Sequence, residues 1–98
     1  MLSRATEGKA QRVALLSGVL SNPTRVLIIL FLQECGGAYV QEIAIGLEMS
    51  QSAISHQLRL LTEESIVSSR RDGRDVWYTL TTKTSARKVI AALRALRR

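Results

Sequence analysis

A short stretch of the chain carries Ser50, Gln51, Ser52, Ser55, His56 and Arg59. Wound at about 100° per residue, it puts Ser52, His56 and Arg59 opposite Ile54, Leu58 and Leu61, with Ser55 at the edge of the polar side. Hydroxyl, imidazole and guanidinium groups on one helix face can read base edges in a major groove, with Arg59 reaching a phosphate or a guanine. The bland alternative is a solvated face on which Ser50 is only a cap. His56 has a further alternative as a metal ligand or pH-titrating group, but no strong second ligand accompanies it. Downstream, Arg70, Arg71 and Arg74 surround Asp72-Gly73. They suit a grip on flanking phosphates, unless the hairpin is simply solvated and Arg70 pairs with Asp75. Gln41 and Thr24 are further candidates for backbone contact.

Other chemistries find little support. No general acid–base pair, activated nucleophile, phosphate loop or metal cluster can be assembled, so an enzyme is not expected. A single cysteine, Cys35, excludes an intrachain disulfide and a multi-thiolate zinc site. Cys35 is a candidate for redox chemistry, but it follows Glu34 at a predicted helix C-terminus, where both the dipole and the neighbour disfavour a thiolate. A structural role is the expectation there. No cofactor is expected.

The elements that position these residues can be read from pattern. Thr6 to Leu20 carries Ala10, Val13, Leu16 and Leu20 on a helical stripe. Ser21-Asn22-Pro23 restarts the chain, with Asn22 suited to cap and Pro23 to open a second helix. That helix runs to about Glu34 and stops at Gly36-Gly37, residues suited to a left-handed cap. Its apolar run, Val26 to Leu32, faces every direction and predicts the most buried helix. Val40 to Leu47 forms a short third helix, Glu48-Met49-Ser50 a break, and Ser50 caps a fourth helix to about Glu64. This is a helix-turn-helix pattern.

Ile66 to Arg71 and Arg74 to Leu80 alternate and are joined by Asp72-Gly73, a strong hairpin signal with both central residues at positive φ. That register places Val67 opposite Tyr78, Ser69 opposite Val76, Arg70 opposite Asp75 and Arg71 opposite Arg74. The last pair sets two like charges side by side at the tip, which an anion would relieve. Tyr78 is expected to pack inward with Val67 and Leu80, and Trp77 to sit half exposed beside Ile66. A final helix, residues 83–98, has Ala86, Val89, Ile90, Leu93 and Leu96 on one stripe. The order α-α-α-α-β-β-α defines a mainly α protein with a small β-hairpin wing, a winged helix-turn-helix in the α+β class.

The chain has 98 residues, which is one small domain. It is 46% hydrophobic and 22% charged, and its formal net charge of +6 favours a polyanionic partner, nucleic acid first and an anionic membrane surface second. The basic residues lie mainly at both termini and in the stretch 59–74. The apolar run Val26 to Leu32 is far short of a membrane span, and residues 1–22 lack a convincing signal peptide. A soluble, cytoplasmic protein with no membrane partner is the expectation. The stripes of residues 6–20 and 83–98 exceed what a small winged-helix core needs. They predict a homodimer through Val13, Leu16, Leu20, Val89, Ile90, Leu93 and Leu96.

Asn22-Pro23-Thr24-Arg25, the run Ser50-Gln51-Ser52-Ala53-Ile54-Ser55-His56-Gln57-Leu58-Arg59, and the wing from Val67 to Leu80 resemble the ArsR/SmtB family of bacterial repressors over about residues 12–82. The resemblance implies a homodimer joined by its first and last helices. It also implies a double-stranded operator of imperfect twofold symmetry and repression lifted by a signal. The sequence departs from the family's metal sensors. Tyr39 stands where many of them carry a thiolate, and Thr82, Thr84, Ala95 and Arg98 fall near their C-terminal ligand positions. Relatives that switch by cysteine chemistry generally use two cysteines. The expectation is therefore a homodimeric, sequence-specific repressor on an inverted-repeat operator, not a typical metal sensor, with its inducer unidentified. The rival reading is a winged-helix module that binds an acidic protein, or DNA architecturally without sequence specificity.

Overall fold

The structure is a computed structural model that describes residues 21–81, together with the isolated positions Gly18, Ala91 and Ala95. Apart from those three positions, the predicted helices at 6–20 and 83–98 lie outside the described residues, and so do Val13, Leu16, Leu20, Val89, Ile90, Leu93 and Leu96. The described elements are α1 (Pro23–Cys35), β1 (Ala38–Tyr39), α2 (Val40–Leu47), α3 (Gln51–Glu63), β2 (Val67–Asp72) and β3 (Asp75–Leu80). They form a winged helix-turn-helix.

Each helix begins and ends where local chemistry dictates. Asn22 Oδ1 accepts from the backbone N–H groups of Thr24 and Arg25 at 3.1 and 3.3 Å, and Pro23 fills the first helical position, where no intrahelical donor is needed. Gly36 closes α1 in the left-handed region at φ 79°, its N–H reaching Leu32 O at 2.9 Å. Between α2 and α3 the chain turns through Glu48, which takes φ 55° and ψ 47° without being glycine. Ser50 Oγ then accepts from Ala53 N–H at 3.1 Å and starts α3.

The core gathers Ile28, Ile29 and Leu32 of α1, Ile43 and Ala44 of α2, and Ile54, Leu58 and Leu61 of α3 against Ala38, Ile66 and Val67. Val40, Leu47, Tyr78 and Leu80 pack against it half-buried. As expected, α1 carries the most buried residues of the three described helices, Arg25, Ile28, Ile29 and Leu32, although its apolar run is not covered all round: Leu27 is 45% exposed. On the single chain the core meets α1 along the side of Arg25, Ile28, Ile29 and Leu32, leaving Leu27 to solvent.

The wing differs from expectation in two ways. First, it is three-stranded, in the order β1-β3-β2, because Ala38 and Tyr39 pair with Tyr78 and Trp77. Two residues are too few to register as an alternating pattern. Second, the hairpin pairs Val67 with Leu80, Ser69 with Tyr78, Arg70 with Trp77, Arg71 with Val76 and Asp72 with Asp75. The turn therefore centres on Gly73-Arg74, not on Asp72-Gly73. Gly73 takes φ 64°, while neither Asp72 nor Arg74 is among the residues at positive φ. A turn with glycine at its first central position needs only that one left-handed residue, which spares Asp72 the strain. Hence Arg70 does not face Asp75 and Arg71 does not face Arg74. The shift is by two residues on the partner strand, so each side chain keeps its predicted sheet face.

Candidate nucleic-acid interface

α3 is the helix whose surface carries most of the predicted contacts. Ile54, Leu58 and Leu61 are fully buried and fix its rotation. Gln51, Ser52, Ser55, His56 and Arg59 are left exposed on the remaining surface. At its far end Arg25, 7% exposed, forms an ion pair with Glu64, joining the first turn of α1 to the C-terminus of α3. Desolvation lowers the Arg25 pKa from its ordinary value, and Arg25 Nε has no hydrogen-bond partner among the described residues. Nothing in the sequence marks Arg25 for this role, because a lone arginine after a cap carries no signal of its distant partner.

The polar face of α3 is internally organised. Arg59 donates to Glu63 Oε1 at 3.1 Å and to His56 Nδ1 at 3.2 Å. A guanidinium only donates, so Nδ1 accepts and a neutral His56 carries its proton on Nε2, a donor available to a partner. Ser50 is occupied as the cap, yet its hydroxyl proton remains free to donate.

In the wing, Arg70, Arg71 and Arg74 are exposed and none forms an ion pair among the described residues. Arg70 and Arg71, adjacent on β2, point to opposite faces of the sheet. Gln41 is half-buried, with its side-chain amide donating to Asp75 Oδ1 at 3.5 Å. Cys35 is exposed at the end of α1, outside both surfaces.

Trp77 is half exposed, as expected, and lies against Gly37 and Tyr39, whereas Ile66 sits level with Thr81, four residues further along the chain, its carbonyl accepting from Thr81 N–H at 3.0 Å. A Cβ added at Gly37 would stand 2.5 Å from Trp77 Cζ2, and the rings of Tyr39 and Trp77 meet edge-on with centroids 4.9 Å apart. Tyr39 Oη donates to Asp72 Oδ2 at 2.5 Å, and its backbone N–H donates to Glu42 Oε1 at 2.9 Å. In the sequence Tyr39 is marked only by the thiolate it replaces and Asp72 only by its place beside Gly73. Among the described residues, no three His, Cys, Asp or Glu side chains come together as a metal-holding group.

A core-anchored helix with an exposed polar face, preceded by a short helix and tight turn and followed by a basic hairpin, defines a winged helix-turn-helix DNA-binding domain. The pattern of the family described as "Bacterial regulatory protein, arsR family" matches residues 22–69. The chain is 35% identical over 92 residues to the biofilm growth-associated repressor of Agrobacterium fabrum, covering 94% of this chain and 77% of that one. It is 38% identical over 74 residues to a transcriptional repressor SmtB homolog of Synechocystis, covering 74% of this chain but only 54% of that relative. Among solved structures, the transcriptional repressor BigR of Xylella fastidiosa superposes with a TM-score of 0.79 at 33% identity, covering 94% of this chain and 89% of that one. The chain belongs to the ArsR family, a family of DNA-binding transcriptional repressors and not of enzymes.

Proposed function

We propose that this chain is a homodimeric, sequence-specific repressor that binds an inverted-repeat operator in the cytoplasm and is not a metal sensor of the usual type. The observation that carries the reading is the exposed set Ser52, Ser55, His56 and Arg59 on a helix whose rotation is fixed by Ile54, Leu58 and Leu61. These residues read bases, with Ser50 and Gln51 at the helix start. Arg70, Arg71 and Arg74 bind phosphate, a role supported by their exposure and their lack of ion pairs among the described residues.

Dimerisation is argued from the apolar stripes of residues 6–20 and 83–98, with Leu27 and Ile45 further apolar side chains exposed on the single chain. Two copies related by a twofold axis would place their α3 helices in successive major grooves about 34 Å apart. Against a metal signal stand the residues at the positions where the resemblance would put ligands. Tyr39, a phenol, donates to Asp72, and Thr82, Thr84, Ala95 and Arg98 are poor ligands.

Selection from a random duplex pool, followed by titration of the recovered duplex at two salt concentrations, tests the reading. An enriched inverted repeat with half-sites about one helical turn apart is the expected result. Salt-sensitive binding to every duplex with no enrichment would replace it with an architectural or protein-binding role.

A further inference from the structure

The registers of the sheet place Tyr39, Arg70, Asp72, Asp75 and Trp77 on one face, opposite the face that carries Ala38, Val67, Tyr78 and Leu80. On that face Asp72 and Asp75 are direct cross-strand partners. Like charges so opposed drive a hairpin end apart, and two arginines, Arg71 and Arg74, adjoin them in sequence. Each carboxylate receives a neutral donor from the same place. Tyr39, which caps α2, donates its hydroxyl to Asp72 at 2.5 Å, and Gln41 in the first turn of α2 donates to Asp75 at 3.5 Å. The first bond has the length of a hydroxyl donating to a charged acceptor, the stronger kind of hydrogen bond.

We propose that Tyr39 and Gln41 form a latch that holds the wing tip against the helix-turn-helix unit, and that Tyr39 is thereby a positioning residue for DNA affinity without touching DNA. This rests on the DNA-binding reading above. The remaining ties on this side are short: β1 contributes two residues to the sheet, and Trp77 seats on Gly37 because that position has no side chain. The latch acts beyond them, at the end of the hairpin where Arg71 and Arg74 lie. With the latch closed, those guanidiniums keep a fixed offset from α3, and a duplex can engage both surfaces without first ordering the tip. The hydrogen bond to Asp72, then desolvation and the nearby carboxylates, raise the pKa of Tyr39 above the ordinary tyrosine value. A phenol is already protonated, and a donor, at physiological pH, and the shift moves it further in that direction.

The test uses the full chain with two probes, the duplex recovered by selection and a random-sequence duplex of equal length. Tyr39→Phe keeps the ring against Trp77 and removes only the hydroxyl. It is expected to weaken binding to both probes about threefold to tenfold, with the melting midpoint nearly unchanged. Asp72→Asn keeps an acceptor for the phenol while removing a negative charge, and should bind both probes at least as tightly as the parent. Asp72→Ala removes the same charge and the acceptor too, and should bind more weakly than Asp72→Asn. In the Asp72→Ala background, Tyr39→Phe should change nothing further.

Equal binding by Asp72→Ala and Asp72→Asn overturns the latch, and so does a Tyr39→Phe loss of the same size in both backgrounds. Spectroscopic titration of the phenol adds a readout independent of DNA: Asp72→Ala should bring the Tyr39 transition down towards the ordinary value. An unmoved transition overturns the Tyr39–Asp72 bond itself. A parent chain that binds neither probe overturns the DNA-binding reading, and the positioning role with it.

Discussion

α3 and the wing present similar polar side chains to solvent but are anchored differently. α3 rests on three fully buried residues, Ile54, Leu58 and Leu61, and is tied at its ends by Ser50 and by the Arg25–Glu64 pair. In β2 only Val67 is buried, and the hairpin runs beyond the core carrying five exposed residues, Ser68 to Asp72. Its outer part is placed by contacts at the surface: Trp77 on Gly37 and Tyr39, the phenol on Asp72, the Gln41 amide on Asp75. A surface held by burial can be lost only by damaging the fold. One held by a few polar and edge contacts can be displaced while the fold stands.

Damage to the anchor of α3 should therefore be the most costly change. Leu58→Ala opens a cavity between α3 and the core and should cost about 2–5 kcal/mol, read by chemical denaturation. Its loss of DNA binding should follow the unfolded fraction, with the choice among sequences unchanged in the molecules that remain folded. A variant that stays fully folded yet loses sequence preference would show that α3 is positioned by something other than its core side.

Gly37→Ala attacks the wing's seat instead. The added Cβ would lie 2.5 Å from the Trp77 ring, so the ring must move or the strand must shift. A cost of about 1–3 kcal/mol is expected. Trp77 is the chain's single tryptophan, so its fluorescence reports the displacement directly. Unchanged emission together with unchanged stability would mean that the ring has room to move and that Gly37 does not set the wing.

The same contrast explains what the sequence disclosed. Core and polar faces of α3 follow from a 3.6-residue period that any cap and apolar triplet reveal, and the bounds of α2 and α3 fall within a residue of those expected. The wing's faces were also legible, because a shift by two residues preserves alternation. Its register was not: Asp72-Gly73 and Gly73-Arg74 are both acceptable turns, and the choice depends on which residue must bear a positive φ. β1, the Tyr39–Asp72 bond and the Arg25–Glu64 pair were hidden for a different reason. Each joins residues more than thirty positions apart, and nothing local to either partner marks the other.

Function separates the two regions in a way that single substitutions can measure. His56→Ala should reduce discrimination between the selected duplex and random DNA by about 1–3 kcal/mol, because it removes a donor from the face proposed to read bases. Arg74→Ala should weaken both probes alike and lower the slope of log affinity against log salt by about one counterion. The sharpest contrary result would be the two variants exchanging signatures, with His56 altering the salt slope and Arg74 altering sequence choice.

The smallest expected effects come from the two turns, and they should have opposite signs. The wing turn gives its left-handed residue to Gly73 at φ 64°, so Gly73→Ala should destabilise by about 1 kcal/mol. The turn between α2 and α3 gives the same kind of conformation to Glu48 at φ 55°, where a Cβ crowds the backbone. Glu48→Gly relieves that crowding but loosens the unfolded chain, and the balance is a gain of about 0.5–1 kcal/mol. The backbone bonds that close the turn survive the change, since Glu48 N–H and Met49 N–H reach Ile45 O and Ala44 O at 3.2 and 2.9 Å without using the side chain. α3 should thus keep its angle to α2, and Glu48→Gly should raise the denaturation midpoint while leaving DNA affinity where it was. A more stable variant with weaker binding would mean that the strained turn itself sets how α3 is presented, moving part of the site's geometry from the core into the turn.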